Sequence, residues 1–164
     1  MDRIQKYIGL TAVFLLLCGL VFPADKARAD TRIFLSKGQS VYVPIYSHIY
    51  SGNREHPFYL AATLSIRNTD AVNPVTITTA NYYDSDGNLL MNYLEKPIKL
   101  KALASTRFVV KESHKAGGSG ANFIVKWEAD KKVIPPLIES VMIGTQSQQG
   151  LSFTSRGIVV EENQ

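Results

Sequence analysis

Cysteine is almost missing from this sequence: Cys18 is the single one among 164 residues. One cysteine cannot form an intramolecular disulfide or make up a cysteine-ligated metal site. With 45% hydrophobic and 20% charged residues, the composition is still that of a globular chain and not of a disordered one. We therefore expect an apolar core to hold the fold without a crosslink, a metal or a cofactor.

Long hydrophobic runs are also missing, except for one near the N-terminus. Residues 8–22 are uncharged and largely apolar, follow Arg3 and Lys6, and precede the small-x-small site at 27–29. This run is shorter than the ~20 residues that a membrane-spanning helix needs. Its three parts are those of a secretory signal peptide.

We predict a signal peptide over 1–29, a single domain over 30–164 and a periplasmic or secreted protein without a membrane span once the leader is removed. A leader retained as an anchor and a lipid on Cys18 are the alternatives. Leu17 argues against the second, because a lipobox places a small residue before its cysteine.

After the leader, neither positive nor negative residues are in large excess. The chain has 18 basic and 14 acidic residues. Four basic and two acidic residues belong to the leader, which leaves a net charge of +2. The densest basic cluster, at 96–101, stands beside Glu95. Nucleic-acid binding needs a patch of one sign, so no nucleic-acid partner is expected. Such a cluster is more typical of an edge strand, where lysines discourage pairing with the sheet of another chain.

Helical periodicity is absent from the rest of the chain, and alternation of apolar and polar residues dominates. Segments that alternate or are rich in β-branched residues, separated by turn residues, predict about eight strands. An immunoglobulin-like antiparallel β-sandwich is the expected all-β fold. The clearest predicted strands are 58–67, 75–83, 89–94, 104–111, 121–128, 137–145 and 151–156. The predicted core is Leu60, Leu64, Ile66, Val75, Ile77, Phe108, Val110, Phe123, Val125, Trp127, Val141 and Ile143.

Three blocks of the sequence resemble a known family. The first runs over 54–70 and begins Arg-Glu-His-Pro-Phe, the second covers 103–127 with its Gly-Gly-Ser-Gly loop, and the third covers 141–157 with Gly-Thr-Gln-Ser-Gln-Gln-Gly. Together they resemble domain of unknown function 3124, over about 42–157. The resemblance implies an exported bacterial single-domain protein and no particular activity.

Motifs for catalysis are absent, and we expect no enzyme. Ser147 lies between Gly144 and Gly150, but the spacing is not that of a Gly-x-Ser-x-Gly nucleophile elbow. The glycines at 117–120 lack the lysine and the following helix of a phosphate-binding loop, and they predict a flexible connection. A small envelope enzyme with a dispersed site remains the alternative.

Metal-binding motifs are not recognisable either. The spacings of His48, His56 and His114 match no metal site. The loop that starts at Asp84 places oxygen side chains as an EF-hand loop does, but Leu89 stands where that loop requires glycine. Asp-Gly at 86–87 instead predicts a tight hairpin turn.

Two surfaces are candidates for binding. Alternation over 41–50 places Tyr42, Tyr46, His48 and Tyr50 on one face of a strand, with Val41, Val43, Ile45, Ser47 and Ile49 on the other. An exposed aromatic stripe of this kind could stack on a sugar ring, and Pro44 favours an edge strand or a bulge. The polar segment with Gln146 and Gln149, together with Arg156, is the second candidate surface.

These features favour a non-catalytic binding or interaction module of the bacterial envelope with a protein or glycan partner. A subunit that assembles by strand addition at an exposed sheet edge is a further alternative.

Overall fold

The computed structural model describes residues 34–145 and 150–163, and this part is almost entirely β-structure. It has two single-turn 3-10 helices, Gly52–Arg54 and Lys115–Gly117. Within these ranges, no helix is both long and apolar enough to cross a membrane. The predicted leader with Cys18 lies outside the described residues. The strands are β1 (Ser36–Pro44), β2 (His48–Ser51), β3 (His56–Tyr59), β4 (Ala61–Arg67), β5 (Val75–Tyr83), β6 (Leu89–Asn92), β7 (Ile98–Leu100), β8 (Ser105–Val110), β9 (Asn122–Val133), β10 (Leu137–Gly144), β11 (Leu151–Arg156) and β12 (Ile158–Glu162).

Two antiparallel sheets pack against each other. The first has the order β12-β1-β9-β5-β6, with β7 also paired to β5, and the second has the order β11-β10-β4-β8. Strands β2 and β3 form a separate two-stranded hairpin. The predicted all-β sandwich is therefore confirmed, whereas the immunoglobulin-like subtype stays a prediction.

The core lies between the sheets and includes most of the side chains that alternation predicted to point inward. Nine of the twelve predicted core residues are buried: Leu60, Leu64, Ile66, Val75, Ile77, Val110, Phe123, Val125 and Trp127. Trp127 is the largest of them and is 1% exposed. Burial of a strand's apolar face against the facing sheet removes this surface from water, which is the main stabilising contribution.

The prediction is wrong for the facing of β10. Ile143 is 50% exposed and Val141 is only half-buried, whereas Ile138 and Met142 are buried. Apolar residues occupy both faces of this strand, so alternation alone does not select the inner one. Ser140 is the inward residue between them, and its hydroxyl donates a hydrogen bond to the carbonyl of Pro44. Phe108 faces the core but is only half-buried on the edge strand β8.

The predicted number of strands is too low, because twelve are present among the described residues. The predicted strand 58–67 is divided at Leu60 into β3 and β4. The N–H of Leu60 donates to the carbonyl of Ser47, next to the β2–β3 pairing. The predicted strand 41–50 is likewise divided into the end of β1 and the start of β2. Strand β7 has only three residues, and β12 passes from three apolar residues to two glutamates without alternation.

Candidate binding surfaces

The β2–β3 hairpin carries four ring-bearing side chains on one of its faces. In its register, His48 pairs with Tyr59, Ile49 with Phe58, and Tyr50 with Pro57. Because side chains alternate along each strand, His48, Tyr50, Pro57 and Tyr59 share one face. We call this set the aromatic face.

The opposite face of the hairpin attaches it to the sandwich. Ile49 and Phe58 pack against the core cluster. Gly144, at the end of β10, leaves the space for this contact, since a Cβ atom at this position would collide with the Phe58 ring. Because Ile49 and Phe58 bury the opposite face of the hairpin, the aromatic face points outward.

The rings of the aromatic face contact one another at steep angles. The His48 ring lies edge-to-face with Tyr50 at 5.3 Å between centroids and with Tyr59 at 6.0 Å. Tyr50 is 54% exposed, and Pro57 is exposed beside it. The Nδ1 atom of His48 is buried without a hydrogen-bond partner in the described structure. The surface therefore combines an accessible tyrosine with neighbouring rings that limit how it can turn.

A lysine lies over this face. The Nζ atom of Lys115 is 4.1 Å from the centroid of the Tyr59 ring, which is the geometry of a cation–π contact. The surface can therefore offer an apolar ring, a hydroxyl donor and a positive charge to one ligand.

Hydrogen bonds hold the segment that carries Lys115. The Ser47 hydroxyl and N–H both donate to the carbonyl of Gly118. The Ser85 hydroxyl donates to the carbonyl of Gly117 and accepts from the N–H of Gly120. The segment 117–120, predicted to be a flexible connection, is thus bonded at three of its four residues. Gly118 adopts a positive φ of 81°, which is unfavourable for other residues.

The structure separates the four residues of the predicted aromatic stripe. Tyr42 lies in β1 opposite Ile124 and Ile158. Tyr46 lies between β1 and β2, and its ring packs edge-to-face on Phe153 at 5.8 Å. Only His48 and Tyr50 come together, on the hairpin. Their partners Pro57, Tyr59 and Lys115 were missed, although alternation over 56–59 and the turn residues Gly52 and Asn53 could have indicated a hairpin.

Pro44 does not make β1 an edge strand, since β1 lies between β12 and β9. The pairing of β1 with β12 ends at Tyr42. Pro44 therefore follows the last paired position on that side, where its missing N–H costs no hydrogen bond of the sheet.

The second predicted surface is only partly described. Gln146 and Gln149 lie outside the described residues. Arg156 is the β11 partner of Glu139 in β10, which places it on the outer face of the second sheet. The same face carries Arg67 and Arg107, which no motif in the sequence marks as binding residues.

The loop at Asp84 forms the predicted hairpin turn. The Asp84 carboxylate accepts hydrogen bonds from the side chain and N–H of Asn88 and from the N–H of Asp86, at 2.8–3.0 Å. These bonds lower the pKa of Asp84. Gly87 supplies the positive φ, 83°, that the turn needs. Among the described residues, no three His, Cys, Asp or Glu side chains converge as metal ligands would.

The described chain is thus an antiparallel two-sheet sandwich with an aromatic hairpin at one end of its strands. The family model for a protein of unknown function, DUF3124, matches residues 38–160. The chain belongs to this family, as the resemblance of its three blocks predicted. A comparison with curated proteins found no significant match.

One solved structure shows a weak likeness. The crystal structure of Thermotoga maritima 1070 is similar over 76% of this chain and 97% of that chain, with 12% sequence identity and a TM-score of 0.40. At this level of similarity, the likeness carries no argument about fold or function.

Proposed function

We propose that the protein is a non-catalytic binding module of the bacterial envelope and that it recognises a glycan through the aromatic face. The observation that carries the proposal is the exposed Tyr50 ring, held beside His48 and Tyr59. Tyrosine has an apolar face and a polar tip. A sugar ring can therefore stack its C–H groups on the ring while its hydroxyls bond to the tip.

The neighbouring groups support the same chemistry. Lys115 over Tyr59 adds a donor at the border of the surface. The predicted signal peptide supports the envelope location.

The proposal is tested by co-sedimentation of the full-length protein with purified peptidoglycan sacculi and with purified outer-membrane polysaccharide. We expect the protein to bind at least one of these two glycans. Tyr50→Ala and Tyr59→Ala should each lower the bound fraction at least fivefold, on the order of 1 kcal/mol of lost stacking. Tyr42→Ala is the matched control and should bind as the unchanged protein does.

Far-UV circular dichroism of each variant shows whether the sandwich is retained. Equal binding by the Tyr50→Ala protein and the unchanged protein would contradict the proposal. Binding to neither glycan would also contradict the proposal and would favour a protein partner instead.

A second candidate function is assembly by strand addition at β12, and it is favoured by the exposure of that strand. Ile158 is 64% and Val160 is 60% exposed, on the outermost strand of the first sheet. An apolar edge strand offers unpaired backbone groups to another strand. If this function is correct, light scattering at high concentration will show a species larger than a monomer. Val160→Lys will reduce that species, and Val72→Lys, an equal change in an exposed loop, will not.

A further inference from the structure

Three of the four arginines after residue 33 lie on one face of the second sheet. Ser65 in β4 pairs with Arg107 in β8 on one side and with Glu139 in β10 on the other. Glu139 in turn pairs with Arg156 in β11. Arg67 is two residues along β4 from Ser65 and therefore points to the same side. We call this surface the arginine face.

The arginine face has more positive than negative charge. The Nε atom of Arg67 is 3.7 Å from Glu139 and donates a hydrogen bond to the Ser65 hydroxyl at 3.2 Å. Arg107 and Arg156 have no ion-pair partner within the described part of the chain. One carboxylate therefore stands among three guanidinium groups, which leaves a local charge of about +2.

Two of these arginines line a shallow open depression of about 340 Å³. Arg67 and Arg107 form part of its wall, and the hydroxyl residues Thr63, Ser65 and Ser105 line it between them. A guanidinium group presents a planar fork of donors that matches a carboxylate. Hydroxyls can both donate to and accept from a sugar hydroxyl.

We propose that the arginine face is a binding site for an acidic polysaccharide, with Arg67 and Arg107 binding its carboxylates. The open depression suits an extended chain, which need not enter a closed pocket. Among the described residues, those that line it include no aromatic ring, whereas surfaces for single-stranded nucleic acid use aromatic rings to stack bases. The ligand is therefore an acidic glycan in preference to a nucleic acid.

This site is distinct from the aromatic face. The β2–β3 hairpin precedes Ala61, at the start of β4, whereas Ser65 is four residues further along that strand, about 13 Å away. The two sites can therefore be tested independently.

The test is calorimetric titration of the full-length protein with polygalacturonate at low salt, with uncharged dextran as the reference. We expect polygalacturonate to bind and dextran to produce no comparable heat. Arg107→Gln and Arg67→Gln should each weaken binding about tenfold, as loss of a charge-assisted hydrogen bond does. Higher salt should weaken binding by the unchanged protein as well.

Lys99→Gln is the matched control, because it removes one exposed positive charge from β7 in the other sheet. It should leave the affinity within about twofold, since a distant exposed charge is largely screened. Tyr50→Ala should also leave this affinity unchanged, which separates the outcome from that of the aromatic face.

Three results would overturn the proposal. The first is the absence of polygalacturonate binding, and the second is an equal loss of affinity in Lys99→Gln and Arg107→Gln. The third is equal affinity for single-stranded DNA, which would show attraction to any polyanion. Far-UV circular dichroism identifies a variant that has lost its fold.

Discussion

At the scale of single residues, a buried polar corner connects the two sheets. The Asp70 carboxylate accepts hydrogen bonds from the N–H groups of Val72, Asn73 and Ile134. The Asn68 side chain accepts from the N–H of Asp70 and donates to the carbonyls of Asn73 and Lys101. These bonds satisfy the backbone where the chain leaves β4 and where it passes from β9 to β10. Because the backbone bonds favour the charged carboxylate, they lower the pKa of Asp70 to about 2.

The lowered pKa of Asp70 predicts a pH-dependent contribution to stability. Its usual value is 3.8, so the unfolded chain takes up the proton at a higher pH than the folded protein does. The stabilisation is fully present above about pH 4 and is lost as the pH falls towards 2. We expect Asp70→Asn to lower the free energy of unfolding at pH 7, and the difference from the unchanged protein to shrink between pH 4 and 2. Urea denaturation at each pH measures it; a difference that stays constant over this interval would contradict the assignment.

At the scale of elements, β10 shows how far alternation along a strand determines its facing. In β4 and β9 one face is clearly more apolar, and the buried residues are the predicted ones, such as Leu64, Phe123 and Trp127. In β10, Met142 and Ile143 are both apolar neighbours, and they point in opposite directions. The inward face is selected by contacts with the other sheet, including the hydrogen bond from Ser140 to Pro44.

Adjacent substitutions in β10 test this facing. Met142→Ala removes a fully buried side chain and should lower the free energy of unfolding by about 2–5 kcal/mol. Ile143→Ala is the matched control on the exposed face and should change it by less than about 0.5 kcal/mol. Urea denaturation of both variants provides the comparison. Equal costs for the two substitutions would mean that the strand register is different.

At the scale of the whole molecule, packing of two sheets holds the described chain together without any crosslink. Its edges are protected to different degrees. Exposed Arg107 lies on the edge strand β8 and exposed Lys99 on β7, and such charges discourage pairing with other chains. The edge strand β12 instead exposes Ile158, Val159 and Val160. These exposed apolar side chains make β12 less protected than the edges at β7 and β8.

A single core predicts a single unfolding transition. Trp127 is the only tryptophan and lies between the sheets, so its fluorescence reports the packing of both. We expect the urea midpoint from Trp127 fluorescence to coincide with the midpoint from far-UV circular dichroism, with or without a reducing agent. A fluorescence transition that clearly precedes loss of the circular-dichroism signal would show that the sheets separate before the strands unfold.

Much of the fold could be predicted from the sequence, but less of the candidate sites. His48 and Tyr50 were selected from alternation over 41–50, yet the bend of the chain between β1 and β2 removes Tyr42 and Tyr46 from their neighbourhood. Tyr59 and Lys115 reach the aromatic face through strand pairing and through hydrogen bonds from Ser47 to Gly118. Alternation within the single segment 41–50 cannot predict the contact with Tyr59 or the contact with Lys115.

The sequence by itself determined the all-β class, the bounds of β5 and β11, and the inner faces of β4 and β9. These depend on local alternation, since one apolar face of a strand must leave water wherever it packs. Only the tertiary structure decided the facing of β10, the aromatic face and the grouping of Arg67, Arg107 and Arg156. These depend on which strands become neighbours, and that choice is made by the packing of residues far apart in the chain.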